Sequence, residues 1–181
     1  MKKYEKVAVG GTFDKLHRGH KALITKAFEV GEKVVIGLSS DLFVSKMGKP
    51  HITASFNERK KELQVFLEKN GLAKRAEIVP LNDPYGLTLS CKGLRALVVS
   101  KETKSTAEKI NKIRVENGYP AVKIVTINMI SAENCNPIST TRIRSGEIDR
   151  NGHLLNTPKL SEAYWLQYFS HNINRFTDKR R

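Results

Sequence analysis

His17 and His20 stand three residues apart in "GGTFDKLHRGHKAL" (Gly10–Leu23), with Thr12 and Asp14 just ahead of them. An apolar run ends at Gly10 and Gly11, so these polar side chains crowd a strand-to-helix turn. Two imidazoles on one helix face can donate hydrogen bonds to two oxygens of a phosphoryl group. A helix opening near Arg18 would add free backbone N–H groups and a partial positive charge, an anion site before any side chain is counted. Gly10 and Gly11 are expected to supply the sharp turn, Gly19 to let a base or ribose lie flat, and Asp14 to cap the helix. Zinc at the two histidines would need a third ligand, and neither HExxH nor a nearby cysteine offers one. GxxxxGK[ST] and GxGxxG are also absent.

A second phosphate-ready stretch lies far down the chain, "NPISTTRIRSGEID" (Asn136–Asp149). Ser139, Thr140 and Thr141 offer hydroxyls where a helix would begin, and Arg142 and Arg144 follow at once. Cations are unfavourable in a first helical turn unless an anion offsets them. The two stretches together could hold a triphosphate along its length, the histidines at one phosphorus and the arginine-bearing turn at the leaving pair.

The elements that must position these residues follow from the apolar pattern. Short Val- and Ile-rich runs at Lys6–Gly11, Lys33–Ser39, Ala76–Leu81, Ala96–Ser100 and Val122–Ile127 read as buried strands. Between them, "SFNE" at Ser55 has the spacing of a capping box and opens a helix stopped by Gly71, and a second helix spans about 103–117. This alternation predicts an α/β fold, a Rossmann-like, doubly wound, five-stranded parallel sheet with helices on both faces. Ligands bind such sheets outside the carboxyl ends of the strands, where the "GGTFD" turn lies. Residues 1–152 form the expected catalytic domain. Residues 153–181 are an aromatic and basic extension holding Tyr164, Trp165, Tyr168, Phe169 and Phe176, patterned for a C-terminal helix packed on the domain or on a second copy.

Composition narrows the class. The 181 residues carry 39% hydrophobic and 28% charged side chains, ordinary for a globular protein, with no run long enough to span a bilayer. Cys91 and Cys135 lack metal or disulfide spacing and suit a reducing cytoplasm. The net charge of +14 favours anionic partners. The basic residues are spread along the chain, clustering only at "ERKK" and the terminal "DKRR", so a nucleic-acid module is a lesser alternative.

"GGTFDKLHRGH" resembles the GTFDxxHxGH form of the HxGH motif, and "ISTTRIR" resembles the ISSTxxR motif, of the nucleotidyltransferase superfamily. "GLSSD", "LNDPYG", "VVSKET" and "ISTTRIRSGEID" extend the likeness, over about Tyr4 to Gly152, to the archaeal and eukaryotic phosphopantetheine adenylyltransferase family. The resemblance implies adenylyl transfer from ATP to 4′-phosphopantetheine, giving dephospho-coenzyme A and pyrophosphate. It implies His17 and His20 at the α-phosphate, Thr12 on both reacting phosphates, and Gly11 and Phe13 lining the pocket. Ser139, Thr140 and Thr141 would hold the β- and γ-phosphates, with Arg142 or Arg144 neutralising pyrophosphate. Lys46, with Lys49 as its rival, would grip the incoming phosphate, Glu102 and Thr103 would contact ATP, and Mg²⁺ would be carried by the phosphates. Enzymes of the same fold acting on glycerol 3-phosphate or FMN are the nearest alternative, and a monomer is the expected state.

Overall fold

The computed structural model describes residues 2–155. Five strands, β1 (Tyr4–Gly11), β2 (Gly31–Ser39), β3 (Ala76–Leu81), β4 (Ala96–Ser100) and β5 (Lys123–Ile127), form one sheet in the order β3-β2-β1-β4-β5. All four pairings are parallel. The helices are α1 (Arg18–Val30), α2 (Asp41–Lys46), α3 (Phe56–Lys69), α4 (Lys104–Glu116) and α5 (Thr140–Arg144). Strand positions expected from the apolar runs agree to within two residues. The C-terminal helix expected around Tyr164–Phe176 lies outside the described residues, as does nearly all of the 153–181 extension.

Side chains of β1 alternate between two cores, as the pleat requires. Val7 and Val9 pack with Ile24, Ala27 and Phe28 of α1 and Leu63 and Leu67 of α3. Ala8 faces the other way, with Val35 and Leu97, against Ala107 and Ile110 of α4. Helices therefore cover both faces, and strands buried on both sides need no polar positions. A small third cluster of Ala132, Ile138 and Ile148 supports α5.

Two ends matter for the site. The α3 start is a complete capping box, Ser55 Oγ accepting from Glu58 N–H while the Glu58 carboxylate accepts from Ser55 N–H, and Gly71 follows its end with φ +67°. Between these ends α3 carries Arg59 and Glu62, which reach the β1–α1 turn.

Candidate active site

The carboxyl ends of β1, β2 and β4, with α5 and the segments after α2 and β3, enclose a cavity of about 590 Å³, within the range of small-molecule sites. Its polar end is lined by Thr12, His17, His20, Lys49, His51, Ser139, Thr140 and Thr141. An apolar arm runs along Leu81, Tyr85, Leu87, Leu97, Val99, Ala107 and Ile110. Gly11, Phe13, Glu102 and Thr103 also line it, so most of the residues picked from the two motifs meet in one place.

The β1–α1 turn is built differently from the expectation. Gly10 and Gly11 stay in the strand, paired with Gly37 and Leu38. The sharp bend falls on Phe13 and Lys15, both at φ 50°, a left-handed conformation that is strained for residues with a Cβ. The surroundings hold it. The Arg59 guanidinium donates to Thr12 O at 2.9 Å, Thr140 Oγ1 donates to Asp14 O at 2.9 Å, and Leu16 N–H donates to Glu62 Oε2 at 3.1 Å. Glu62 in turn pairs with Arg150, whose carbonyl accepts from Arg18 N–H.

Asp14 is not the cap of α1. That role falls to His17, whose Nδ1 accepts from Gly19 N–H at 3.2 Å and His20 N–H at 3.4 Å. With Arg18 N–H on Arg150 O and Lys21 N–H on His17 O, the first-turn donors of α1 are already engaged. The polar groups left facing the cavity at this end are thus the imidazoles rather than the backbone N–H groups. Because Nδ1 accepts, the neutral His17 ring carries its proton on Nε2. Gly19 has a local reason: a Cβ there would stand 3.1 Å from the His17 ring. The rings of His17 and His20 stack at 3.7 Å, and Phe13 meets His20 edge-on at 5.3 Å. Burial pushes His17 down to about 4, with Arg150 adding to it; burial, His17 and Lys49 push His20 down to about 3. Both are neutral at pH 7, and His20 Nδ1 is buried without a protein partner among the described residues.

Asp14, fully buried, instead receives Arg144 at 2.7 and 2.9 Å and Ala54 N–H at 3.2 Å. Burial alone would raise its pKa, but the Arg144 guanidinium and the Ala54 hydrogen bond outweigh that and hold the carboxyl below its ordinary range. Arg142 pairs with Glu147 at 2.8 Å and donates to Pro137 O and Asn134 Oδ1. The anions that offset the two arginines of α5 are thus the protein's own, and neither arginine lines the cavity. Ser139 caps α5 through Arg142 N–H.

Lys46 is exposed in the last turn of α2 and lies outside the cavity. Lys49, the rival, lines it and donates to Thr12 Oγ1 at 3.0 Å; burial lowers its pKa. Arg59, within the "ERKK" run that reads as a solvated cluster, is 1% exposed. It donates to Ser39 O and Ala54 O at 2.8 Å each, and to Asp41 Oδ1 at 2.7 Å. No local pattern signals this, since the burial comes from the sheet end lying over α3. His51 belongs to neither motif, and its place at the cavity comes from the path of the segment between α2 and α3.

A cytidylyltransferase-like family model matches residues 8–146. The chain is 44% identical over 154 residues to a phosphopantetheine adenylyltransferase of Methanothermobacter thermautotrophicus, spanning 85% of this chain and 92% of the relative. It is 45% identical over 152 residues to one of Methanosarcina barkeri, spanning 82% and 92%. A crystal structure of an Archaeoglobus fulgidus protein of unknown function superposes with a TM-score of 0.61 at 36% identity, covering 67% of this chain and 88% of that one.

Proposed function

We infer the activity from the premise that this chain belongs to the cytidylyltransferase-like family and, within it, to the phosphopantetheine adenylyltransferases. It transfers the adenylyl group of ATP to 4′-phosphopantetheine. An oxygen of the acceptor's phosphate attacks the α-phosphorus in line, the bond from that phosphorus to the β-bridging oxygen breaks, and pyrophosphate leaves with dephospho-coenzyme A as the other product. One observation supports this acceptor above others of the fold: the cavity that holds the motif hydroxyls, imidazoles and Lys49 is lined as well by Leu81, Tyr85, Leu87 and Ile110, an apolar arm. A glycerol phosphate has nothing to lay along that arm, whereas a pantetheine chain does.

The nucleophile is a phosphate monoester with a second pKa of about 6, already ionised at pH 7, so no general base is required. Catalysis reduces to placement and to stabilising the charge that builds on the α-phosphate. His17 Nε2–H and His20 face that group as neutral donors. Thr12 lies between the reacting phosphates, its hydroxyl oriented by Lys49. Ser139, Thr140 and Thr141 receive the β- and γ-phosphates, with Glu102 and Thr103 along the nucleotide. Lys49, rather than Lys46, grips the incoming phosphate. Arg144 works through Asp14, holding the turn that presents Thr12 and His17, and Arg142 holds α5 through Glu147. Mg²⁺ would be carried by the ATP phosphates, and the oxygens lining the cavity that could complete its shell are the hydroxyls of Ser139, Thr140 and Thr141 and the Glu102 carboxylate. No helix among the described residues is long and apolar enough to cross a membrane.

The test is pyrophosphate release with MgATP and, in parallel, 4′-phosphopantetheine, glycerol 3-phosphate, FMN and NMN, repeated with CTP. Release with ATP and 4′-phosphopantetheine alone is the expected result. Release with a different acceptor would keep the mechanism and discard the substrate.

A further inference from the structure

The segment joining α2 to α3 runs past the cavity with alternating side chains. Lys49, His51 and Thr53 are turned inward and half-buried, while Pro50 and Ile52 face outward, Ile52 at 88% exposure. The chain bends at Pro50 and His51, between the turn at Met47–Gly48 and the start of α3. It places His51 on the same wall as Lys49, and both line the cavity. The His51 side chain is 13% exposed, and both its ring nitrogens are buried with no hydrogen-bond partner among the described residues. Asp14 Oδ2 is 3.9 Å from Nε2, beyond hydrogen-bond reach. That carboxylate is already taken by Arg144 and Ala54 N–H.

We propose that His51 is a binding residue for the phosphate of the acceptor, working beside Lys49. This rests on the adenylyl-transfer reading above. A buried imidazole with two unpartnered nitrogens is costly unless a ligand completes it, and the ligand's charge follows from the surroundings. The groups facing the ring are Lys49 and Arg144 on one side of the balance and Asp14 on the other. The local excess is positive, which rejects a metal cation and favours an anion. The chain position selects which anion: His51 is two residues from Lys49 and lines the same cavity, so a phosphate held by Lys49 lies beside the imidazole. Burial, Lys49 and Arg144 together hold the free ring below its ordinary pKa, so it is neutral at pH 7. A dianionic phosphate at hydrogen-bond distance reverses that balance, and the complex takes up a proton on His51.

The experiment is isothermal titration calorimetry of the full chain at pH 7, in phosphate-free buffers of differing ionisation enthalpy. Wild type is compared with His51→Leu and His51→Gln, each titrated with 4′-phosphopantetheine, with pantetheine and with MgATP. Wild type is expected to bind the phosphorylated acceptor with net proton uptake. His51→Leu should weaken that binding about tenfold or more, the loss expected for a hydrogen bond to a charged group. Its binding of pantetheine and MgATP should stay unchanged. His51→Gln should recover part of the affinity through its amide N–H but none of the proton uptake attributable to the ring. If the leucine variant does not fold, proton uptake in the glutamine variant still decides. Unchanged uptake and affinity in His51→Gln, an equal loss for pantetheine, or a loss confined to MgATP would each overturn the assignment. Should wild type release pyrophosphate with a different phosphorylated acceptor, that acceptor and its dephosphorylated form replace the pair. The substrate reading then fails separately from the role of His51.

Discussion

Replacing Arg59 with Met tests whether the strained β1–α1 turn is held from α3. Methionine nearly fills the space, so the cavity cost is small and the loss is one of hydrogen bonds. Three carbonyls, Thr12 O, Ser39 O and Ala54 O, lose a donor they meet at 2.8–2.9 Å. Ser39 is 2% exposed, so its orphaned carbonyl costs about 2 kcal/mol, and the other two, reached by more solvent, about 1 kcal/mol each. Asp41 is 59% exposed, and freeing it costs well under 1 kcal/mol. The total, about 4 kcal/mol, is a large share of the stability of a domain this size and corresponds to a Tm lower by about 10 °C. Activity should fall further than stability explains. Without the hold on Thr12 O, Phe13 can relax from φ 50°, and displacing Thr12 and His17 by about 1 Å costs roughly 100-fold in kcat. Urea unfolding followed by circular dichroism gives the first number, and pyrophosphate release at 25 °C, where the variant remains folded, gives the second. A variant destabilised as stated with kcat within twofold of wild type would refute the argument that Arg59 positions the turn. One destabilised by less than 1 kcal/mol would refute the burial reasoning itself.

Asp14→Asn should destabilise by about 2–4 kcal/mol, since it leaves Arg144 facing a neutral amide in a buried site; a double-mutant cycle with Arg144→Met should show strong coupling, and additive losses would sink the clamp. Lys49→Ala should raise the KM for 4′-phosphopantetheine at least tenfold while Lys46→Ala leaves it within twofold, and steady-state kinetics yielding the reverse order would return the role to Lys46. The lowered pKa of His17 has a stability consequence. Between its ordinary value near 6.5 and about 4 the unfolded chain binds a proton that the folded chain does not, so stability rises with pH across that window and is lost on acidification through it. The displacement corresponds to about 3 kcal/mol, and His17→Asn, which keeps a capping side chain, should reduce the pH dependence of urea midpoints between pH 6.5 and 4, leaving the part that comes from His20.

The sheet was legible in the chain because its central strands are buried on both faces and read as near-continuous Val- and Ile-rich runs, while the edge strands β3 and β5 still carry Ile-Val pairs bounded by turn residues. The α3 boundaries were legible for a similar reason: a capping box and a stop glycine act within four residues, so sequence proximity is spatial proximity. The two motifs marked the polar end of the cavity for the same cause, each opening a helix whose cap is local, His17 for α1 and Ser139 for α5. What each polar residue bonds to was not local. Asp14 looks like a cap because a cap needs only its own helix, yet its partner is Arg144, 130 residues away. Arg59 looks solvated because its neighbours in sequence are charged, yet it lies beneath the ends of β1 and β2. Lys46 and Lys49 cannot be told apart by composition or order; the turn at Met47–Gly48, with Gly48 at φ 59°, decides which of them reaches Thr12. Residue types and their spacing determined that an anion is handled at the carboxyl edge of a parallel sheet. Tertiary packing alone decided which charges remain for the ligand, because a buried charge must first be satisfied by whatever the fold brings beside it.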